Sequence, residues 1–562
     1  MHLPSILRRT LLVSGLALWS AFGATTGCSD PANDSQTQAG TLRVPLVTET
    51  GGVVYRLTGQ FTITGPQTLI IDTADDPNAL VRSADLPIGI YSVVLDSGFV
   101  VEREVEGTFE PIDADLVTPN PRSFVITSQT TTNVTFGFAV EGQVIEFDEG
   151  TLNLDIAVED RSNGPVALTA GSERTCARMA NGAVRCWGLG VSGQLGYGNT
   201  DNIGDNETPA SAGDVPLGAA AVRVAAGSFH TCAVLDFGAV RCWGANTFGE
   251  LGYGNTDNIG DDETPASAGN VVVGGAVVDV APGLDHTCAL LETGAVRCWG
   301  WGYYGELGYG NTDTIGDDET PASAGDVNVG GTVVQISAGS THTCAVLDTG
   351  AVRCWGSSSY GELGYGNTDT IGDNEAPASA GDVDVGGTVV KISAGNHRTC
   401  ALLDTGTVRC WGWGLFGALG YGNTNNIGDD ESPASAGDVP VGGTVVQMFG
   451  GDNHTCVLLD TGAVRCWGSG NAGQLGYGNT EYIGDDESPA SAGDVNLGAA
   501  AVSLAAGLTH TCAVLITGAV RCWGSGSYGE LGYGNTDNIG DDETPASAGD
   551  VDVGFSTQDP AL

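Results

Sequence analysis

Fifteen cysteines are the residues of this 562-residue sequence best able to do chemistry, and fourteen of them fall in pairs. Cys176 and Cys186, Cys232 and Cys242, Cys288 and Cys298, and Cys344 and Cys354 each bracket nine residues. So do Cys400 and Cys410, Cys456 and Cys466, and Cys512 and Cys522. Thr349 lies midway between Cys344 and Cys354, in an Asp-Thr-Gly turn. A hairpin with that apex sets the two thiols opposite one another on one face. Opposed residues of a non-hydrogen-bonded antiparallel pair have Cα atoms about 4.5 Å apart, near the short limit for a disulfide. Seven intra-hairpin disulfides are predicted, each on the order of 2–3 kcal/mol by the chain-entropy account. Buried free thiols and metal ligation are the other two readings. Metal is disfavoured, because thiols ten residues apart lack the tight knuckle of a zinc site.

Two residues before the first cysteine stands a histidine in five cases: His230, His286, His342, His454 and His510. Arg174 and Arg398 hold that place in the other two. Neutral imidazoles ligate metals, but a permanent cation does not belong in a cation site. A hydrogen-bonding role is predicted instead. Arg353 and its six equivalents are expected to pair with the abundant aspartates, and Trp355 and its equivalents to pack in a core. The carboxylates recur in segments such as 310–321, Gly-Asn-Thr-Asp-Thr-Ile-Gly-Asp-Asp-Glu-Thr-Pro. There Asp313, Asp317, Asp318 and Glu319 offer the oxygen ligands that calcium takes. The segment matches neither an EF-hand loop nor the nonapeptide calcium repeat. A solvated acidic loop and no cofactor are expected, with structural calcium as the alternative. No Ser-His-Asp arrangement, phosphate-binding glycine loop or nucleophile motif stands out, and an active site normally breaks the symmetry a repeat keeps. The sequence therefore predicts a protein that is not an enzyme.

The elements that position these groups are set by one period. Both cysteine series step by 56 residues without an insertion or deletion. Self-similarity on this scale means a solenoid, propeller or array. Within each unit a run such as Val333–Gly339 precedes the cysteine hairpin, and Gly361–Gly366 follows it. That predicts about four short strands per unit with Gly-rich turns, as in a propeller blade. Each unit reads A-G-x-x-H-T-C-A-[VL]-L-x-x-G-x-V-x-C-W-G-x-x-x-x-G-x-L-G-Y-G-N. This resembles the repeats of the regulator of chromosome condensation family, across residues 165–554. The resemblance implies an all-β, seven-bladed β-propeller with broad partner-binding faces. Val166–Gly171 is expected to pair with the chain end at 550–554 in one blade and so close the ring. Phe248, Tyr304, Tyr360, Phe416 and Tyr528, against Ser192 and Ala472, mark positions that could line a binding face; ordinary packing is the other reading. Secreted bacterial propellers of this family that inhibit β-lactamases suggest an alternative role, a protein inhibitor or regulator of an extracellular enzyme. The nucleotide exchange of the family's founding member is not implied.

Ahead of the repeats, Arg8 and Arg9 precede an apolar run, Leu11 to Phe22, in the manner of a signal peptide over 1–27. Ala24-Thr25-Thr26-Gly27-Cys28 resembles a lipoprotein box, which makes Cys28 the expected lipidation site. Ordinary cleavage near Gly23, leaving Cys28 as a free thiol, is the other reading. Residues 28–40 are small and polar, a tether. Residues 41–160 show eight to ten short alternating runs, the pattern of a small β-sandwich, immunoglobulin-like or prealbumin-like. Residues 555–562 form a tail. With 68 acidic against 20 basic residues the formal charge is −48, which excludes a general nucleic-acid surface and contact with anionic membranes except through a lipid anchor. Since 41% of residues are hydrophobic, the chain is not a solvated acidic coil. These readings converge on an exported, monomeric lipoprotein of the cell envelope, on the outer membrane or outside the cell, whose propeller binds an unknown protein or surface glycan.

Overall fold

The computed structural model describes residues 164–554 continuously and, between 39 and 146, fourteen strands with a few flanking residues. The expected signal peptide, Cys28, the tether through residue 38, the last part of the expected sandwich (147–160) and the tail lie outside the described residues, while residues 39 and 40 of the expected tether belong to the strand Ala39–Pro45.

Period-two alternation forms the first group of strands. In Gln60–Thr64 only Phe61 and Ile63 are buried, and they face Leu95 and Val93 on the antiparallel strand Gly89–Leu95. One four-stranded sheet orders Arg122–Ile126, Gly89–Leu95, Gln60–Thr64 and Leu69–Asp72. A second orders Val47–Thr50, Val53–Thr58, Val100–Val105 and Thr108–Ile112. Leu42, Leu57, Phe61, Ile63, Val93 and Val101 meet in one apolar core. The strand Val81–Pro87 was not legible as an alternating run. It forms because Ala39–Pro45 supplies an antiparallel partner along its whole length.

From residue 165 onward the chain makes seven three-stranded antiparallel sheets, one per repeat. In the fourth, Val333–Ala338 pairs with His342–Leu347, which pairs with Val352–Gly356. Every residue of His342–Leu347 is buried. A strand hydrophobic on both faces is covered on both faces, here by the flanking sheets. The expected fourth strand is reduced to a single bridge between Gly356 and Ile371 and a bond from the Val383 amide to the Val352 carbonyl. Gly361, Gly364 and Gly366 sit at φ of 82°, 80° and 70°. That left-handed backbone cannot continue a strand and favours glycine. At Gly364 a Cβ would also lie 2.8 Å from the Trp411 ring nitrogen, so packing demands glycine there as well.

The ring closes differently from the sequence expectation. Pro165–Ala170 belongs to the first sheet, and the Val551 amide bonds Val520 within the seventh, so chain start and chain end share no sheet. The seventh and first sheets instead meet as every other pair does. The Gly534 amide bonds the Gly204 carbonyl at 3.0 Å, as Gly310 bonds Gly372 at 2.9 Å. Ala210 bonds Asp552 at 3.0 Å, as Ala378 bonds Asn328 at 3.1 Å. Because each unit carries its own complete sheet, closure needs only one more copy of the repeated contact.

Candidate functional site

Each sheet is braced in the same way. Seven disulfides join Cys176–Cys186 through Cys512–Cys522, with Cα atoms 4.0–4.1 Å apart, directly opposite in register. The Cys354 amide and carbonyl point away from Cys344 and both engage the Tyr365 hydroxyl, at 3.3 Å each. Cys344 and Cys354 are therefore a non-hydrogen-bonded pair, the closer of the two antiparallel spacings. Burial pushes the Tyr365 phenol up to about 12. This role of the Gly-Tyr-Gly tyrosine has no sequence signature beyond its repetition.

The histidines link sheet to sheet. His230, His286, His342, His454 and His510 place Nε2 2.7–2.9 Å from the hydroxyls of Thr287, Thr343, Thr399, Thr511 and Thr175. Arg174 and Arg398 reach Thr231 and Thr455 at the two remaining junctions. Thr343 donates its own proton to the Glu306 carbonyl, at 3.1 Å. His286 Nε2 must then be the donor to Thr343, which fixes a neutral tautomer. Burial holds the His286 pKa down to about 3. The Trp355 indole is fully buried and donates to Glu306 O at 2.9 Å. Arg353 pairs with Asp382 at 2.9 Å, and five equivalents pair with Asp214, Asp326, Asp438, Asp494 and Asp550. In the second unit Arg241 bonds Asn270. Ligand oxygens of Asp317, Asp318 and Glu319 lie within 4.8 Å of one another, and four other units repeat the arrangement. Asp313 stands outside that group; its amide caps on Asn311 Oδ1 at 3.0 Å.

The units differ from one another most at one end of the sheets. There the loop after the third strand lies against the residue preceding the middle strand: the Trp301 amide bonds Asp285 O, and the Trp413 amide bonds His397 O, both at 2.8 Å. In four units a buried glutamate folds this loop, its carboxylate accepting the amide two residues earlier. Phe248, Tyr304, Tyr360 and Tyr528 donate to Glu250, Glu306, Glu362 and Glu530, each at 2.7 Å. Gln194 and Gln474 do the same for Ser192 and Ala472. The fifth unit has Ala418 at this position and no such cap. Its loop winds instead into a 3-10 turn over Leu415–Gly417, with Phe416 at φ 61°. Phe416 is the only non-glycine residue at positive φ among the described residues. A bulky side chain there costs about 1–3 kcal/mol, a strain typical of functional positions.

These loops carry a crescent of rings. Phe248 stacks on Trp301 at 5.0 Å between centroids, and Trp301 contacts Tyr303 and Tyr304. Tyr360 meets Trp413 at 5.3 Å and His397 at 5.2 Å; Trp413 meets Phe416, and Phe416 meets Tyr482. Tyr303 is 62% exposed, Tyr304 38% and Leu415 37%. Four of the five aromatics singled out in the sequence thus join other rings, and three of them, Phe248, Tyr360 and Phe416, reach a ring of the neighbouring unit. Tyr528 touches no other ring among the described residues. Trp301, Trp413, Tyr303, His397 and Tyr482 were missed. Their signal was a break in the repeat: where units three and five have Trp301 and Trp413, the others have Leu189, Ala245, Ser357, Ser469 and Ser525.

The crescent is anionic. Burial raises the pKa of Asp285, and burial with repulsion from Asp285 raises Glu250 and takes Glu306 to about 7. Burial pushes Glu362 upward, but His397, whose Nδ1 lies 3.8 Å from Glu362 Oε1, His342 and the Glu362 and Tyr360 amides together outweigh it and leave this carboxyl below its usual range. Arg174 and Arg398, the guanidinium groups next to this end, are buried against backbone carbonyls of the adjoining sheet.

The family model described as the RCC1-like domain matches residues 135–436 and 261–557. The chain belongs to the RCC1-like domain family. Over 322 residues it is 33% identical to the ultraviolet-B receptor UVR8 of Arabidopsis thaliana, covering 56% of this chain and 67% of that protein. Over 324 residues it is 30% identical to the human E3 ubiquitin-protein ligase HERC2, covering 57% of this chain and only 6% of that one. Among solved structures, yeast RCC1 (Prp20) in complex with Kap60 superposes with a TM-score of 0.52 at 19% identity, over 71% of this chain and 89% of that one. Human WBSCR16 gives 0.51 at 21% identity, over 71% and 93%. At these identities the likeness carries the RCC1-like propeller fold alone.

Proposed function

We propose that the chain is a non-enzymatic binding scaffold that docks a partner through its aromatic, anionic crescent. The observation behind this reading is the placement of the unit-to-unit differences. Repeats that share one 56-residue pattern diverge at Trp301, Tyr303, His397, Trp413 and Ala418, and beside the last of these Phe416 is held at a strained backbone angle. A purely structural ring would keep these positions uniform. Yeast RCC1 in complex with Kap60 is a precedent for partner binding in this fold. Exposed aromatic anchors over desolvated polar groups have the make-up of an interface hot spot.

The same proposal places a seven-bladed propeller over 165–554 behind a small sandwich over 41–160, on a tether at 28–40 acylated at Cys28 after removal of 1–27. Seven disulfides fit an oxidising compartment, and no helix among the described residues is long and apolar enough to cross a membrane. The acidic triads such as Asp317-Asp318-Glu319 are taken as solvated turns. The test is a pull-down from envelope and secreted fractions with the full chain and with a Trp301→Ala, Trp413→Ala variant. A protein or glycan held by the parent and released by the variant supports the proposal; equal recovery by both refutes it.

A further inference from the structure

The first strand of every sheet carries its third residue at an equivalent register, just past a bulge: Ala167, Arg223, Asp279, Gln335, Lys391, Gln447 and Ser503. In the first unit the residue opposite small Ala167 is Arg178, where other units have Val or Leu. Arg223, on the second sheet, interacts electrostatically with Lys391 on the fifth, and Asp279, on the third, interacts with both. Arg178 interacts with Arg223. The second and third sheets do not adjoin the fifth, so these groups meet only across the axis of the ring. That axis opens at the other end of the strands into a small cavity of about 70 Å³ lined by residues of all seven units, Asp452 among them.

What distinguishes these cations is that a single carboxylate, Asp279, opposes three of them. The described segment 164–554 holds eleven arginines and the chain's single lysine. Seven arginines bind Asp or Asn, and Arg174 and Arg398 bind carbonyls. Among the described residues the three left without a hydrogen-bonded partner are Arg178, Arg223 and Lys391, the three that converge on the axis. Lys391 only lies over the Phe449 ring, at 4.4 Å. Asp279 is the one carboxylate within their reach, and its side chain accepts the Val280 amide. Burial, then Arg223, draws the Lys391 ammonium down to about 8. A chain with 48 surplus negative charges therefore keeps a positive surplus in its channel. Like charges held near one another disfavour their charged forms unless an opposite charge joins them.

We propose that the axial channel is a binding site for a small oxyanion, of the phosphate, sulfate or carboxylate class, held by Arg223 and Lys391 with Arg178 beside them. At physiological ionic strength the acidic surface loops are screened beyond roughly 8 Å, so they do not bar an anion from the axis. The site is independent of the aromatic crescent, which lies at the opposite end of the strands.

Thermal melting of the full chain, with inorganic phosphate titrated at fixed ionic strength against sodium chloride, tests the proposal. A saturable rise in midpoint is expected in phosphate and not in chloride. Arg223→Gln and Lys391→Met should each weaken the phosphate response about tenfold, the loss of one charge-assisted contact. Arg223 is exposed and unpartnered, so its variant should fold as the parent does, and circular dichroism checks this. Equal shifts in both salts, no shift in phosphate, or a phosphate shift undiminished in both variants would overturn the proposal.

Discussion

Glu306 and Glu362 occupy the same position in adjacent repeats, yet they should respond to substitution with opposite signs. Both are buried, at 1% and 0% exposure, and both accept the amide two residues earlier at 2.7 Å. They differ in what faces them. Glu306 has no basic partner, and burial with repulsion from Asp285 moves its pKa from 4.5 to about 7. At about 1.36 kcal/mol per pH unit, ionised Glu306 destabilises the fold by about 3 kcal/mol. The folded pKa is raised, so this group's stabilising contribution is complete below pH 4.5 and is lost as pH rises through about 7. Gln keeps the acceptor for the Tyr304 amide and removes the charge. Glu306→Gln should therefore stabilise the protein at pH 8 by about 2–3 kcal/mol and show no such gain at pH 4. Glu362 has His397 at 3.8 Å and a lowered pKa, so its contribution is present above the unfolded pKa and lost in acid. Glu362→Gln should destabilise at neutral pH, and the loss should fade as pH falls. Denaturant titration of parent and both variants at pH 4 and pH 8 measures the four differences. Two variants that shift alike at pH 8 would refute the electrostatic account and leave only a generic capping role.

Restoring the missing cap should relax the fifth unit. Ala418→Glu is expected to return Phe416 to negative φ and add about 1 kcal/mol of stability, while weakening capture of the partner; a crystal structure and the pull-down read both outcomes. The histidine ring should make the fold sensitive to acid. The folded His286 pKa is lowered to about 3, so its contribution is complete above pH 6.5 and falls below it. At pH 5 about 2 kcal/mol is lost per such histidine, and His286→Gln should flatten that part of the pH–stability curve. If the acidic turns are solvated, melting with calcium and with a chelator should give one midpoint; a rise with calcium that magnesium does not reproduce would make Asp317, Asp318 and Glu319 ligands.

The strands, the hairpin and the cysteine partners were legible because they are local: one period of 56 residues and one symmetric turn determine them. Closure of the ring was misread because it depends on where a repeat begins. The sequence can be cut at any residue of the period, but hydrogen bonding starts each sheet at the Val-Val strand, and only that phase leaves every unit complete. The crescent was half legible for a related reason. A column of the repeat shows that Tyr304 and Tyr360 vary with Ser192 and Ala472, but it does not show that a loop touches the neighbouring unit's residues about 50 positions on. Phe248 meets Trp301, and Tyr360 meets Trp413, across that gap. The channel charges are the extreme case. Arg223, Asp279 and Lys391 look like three unrelated substitutions until the ring brings non-adjacent sheets to one axis. In a repeat protein the average unit therefore specifies the scaffold, and function has to be sought where single units depart from it. Departures that coincide in space, as at Trp301 with Phe248 or at Arg223 with Lys391, are harder to attribute to drift than isolated ones. At the axis symmetry alone supplies the convergence, because one register position of every unit faces it; what is particular there is the charge of Arg223, Asp279 and Lys391 where the other four units carry Ala167, Gln335, Gln447 and Ser503.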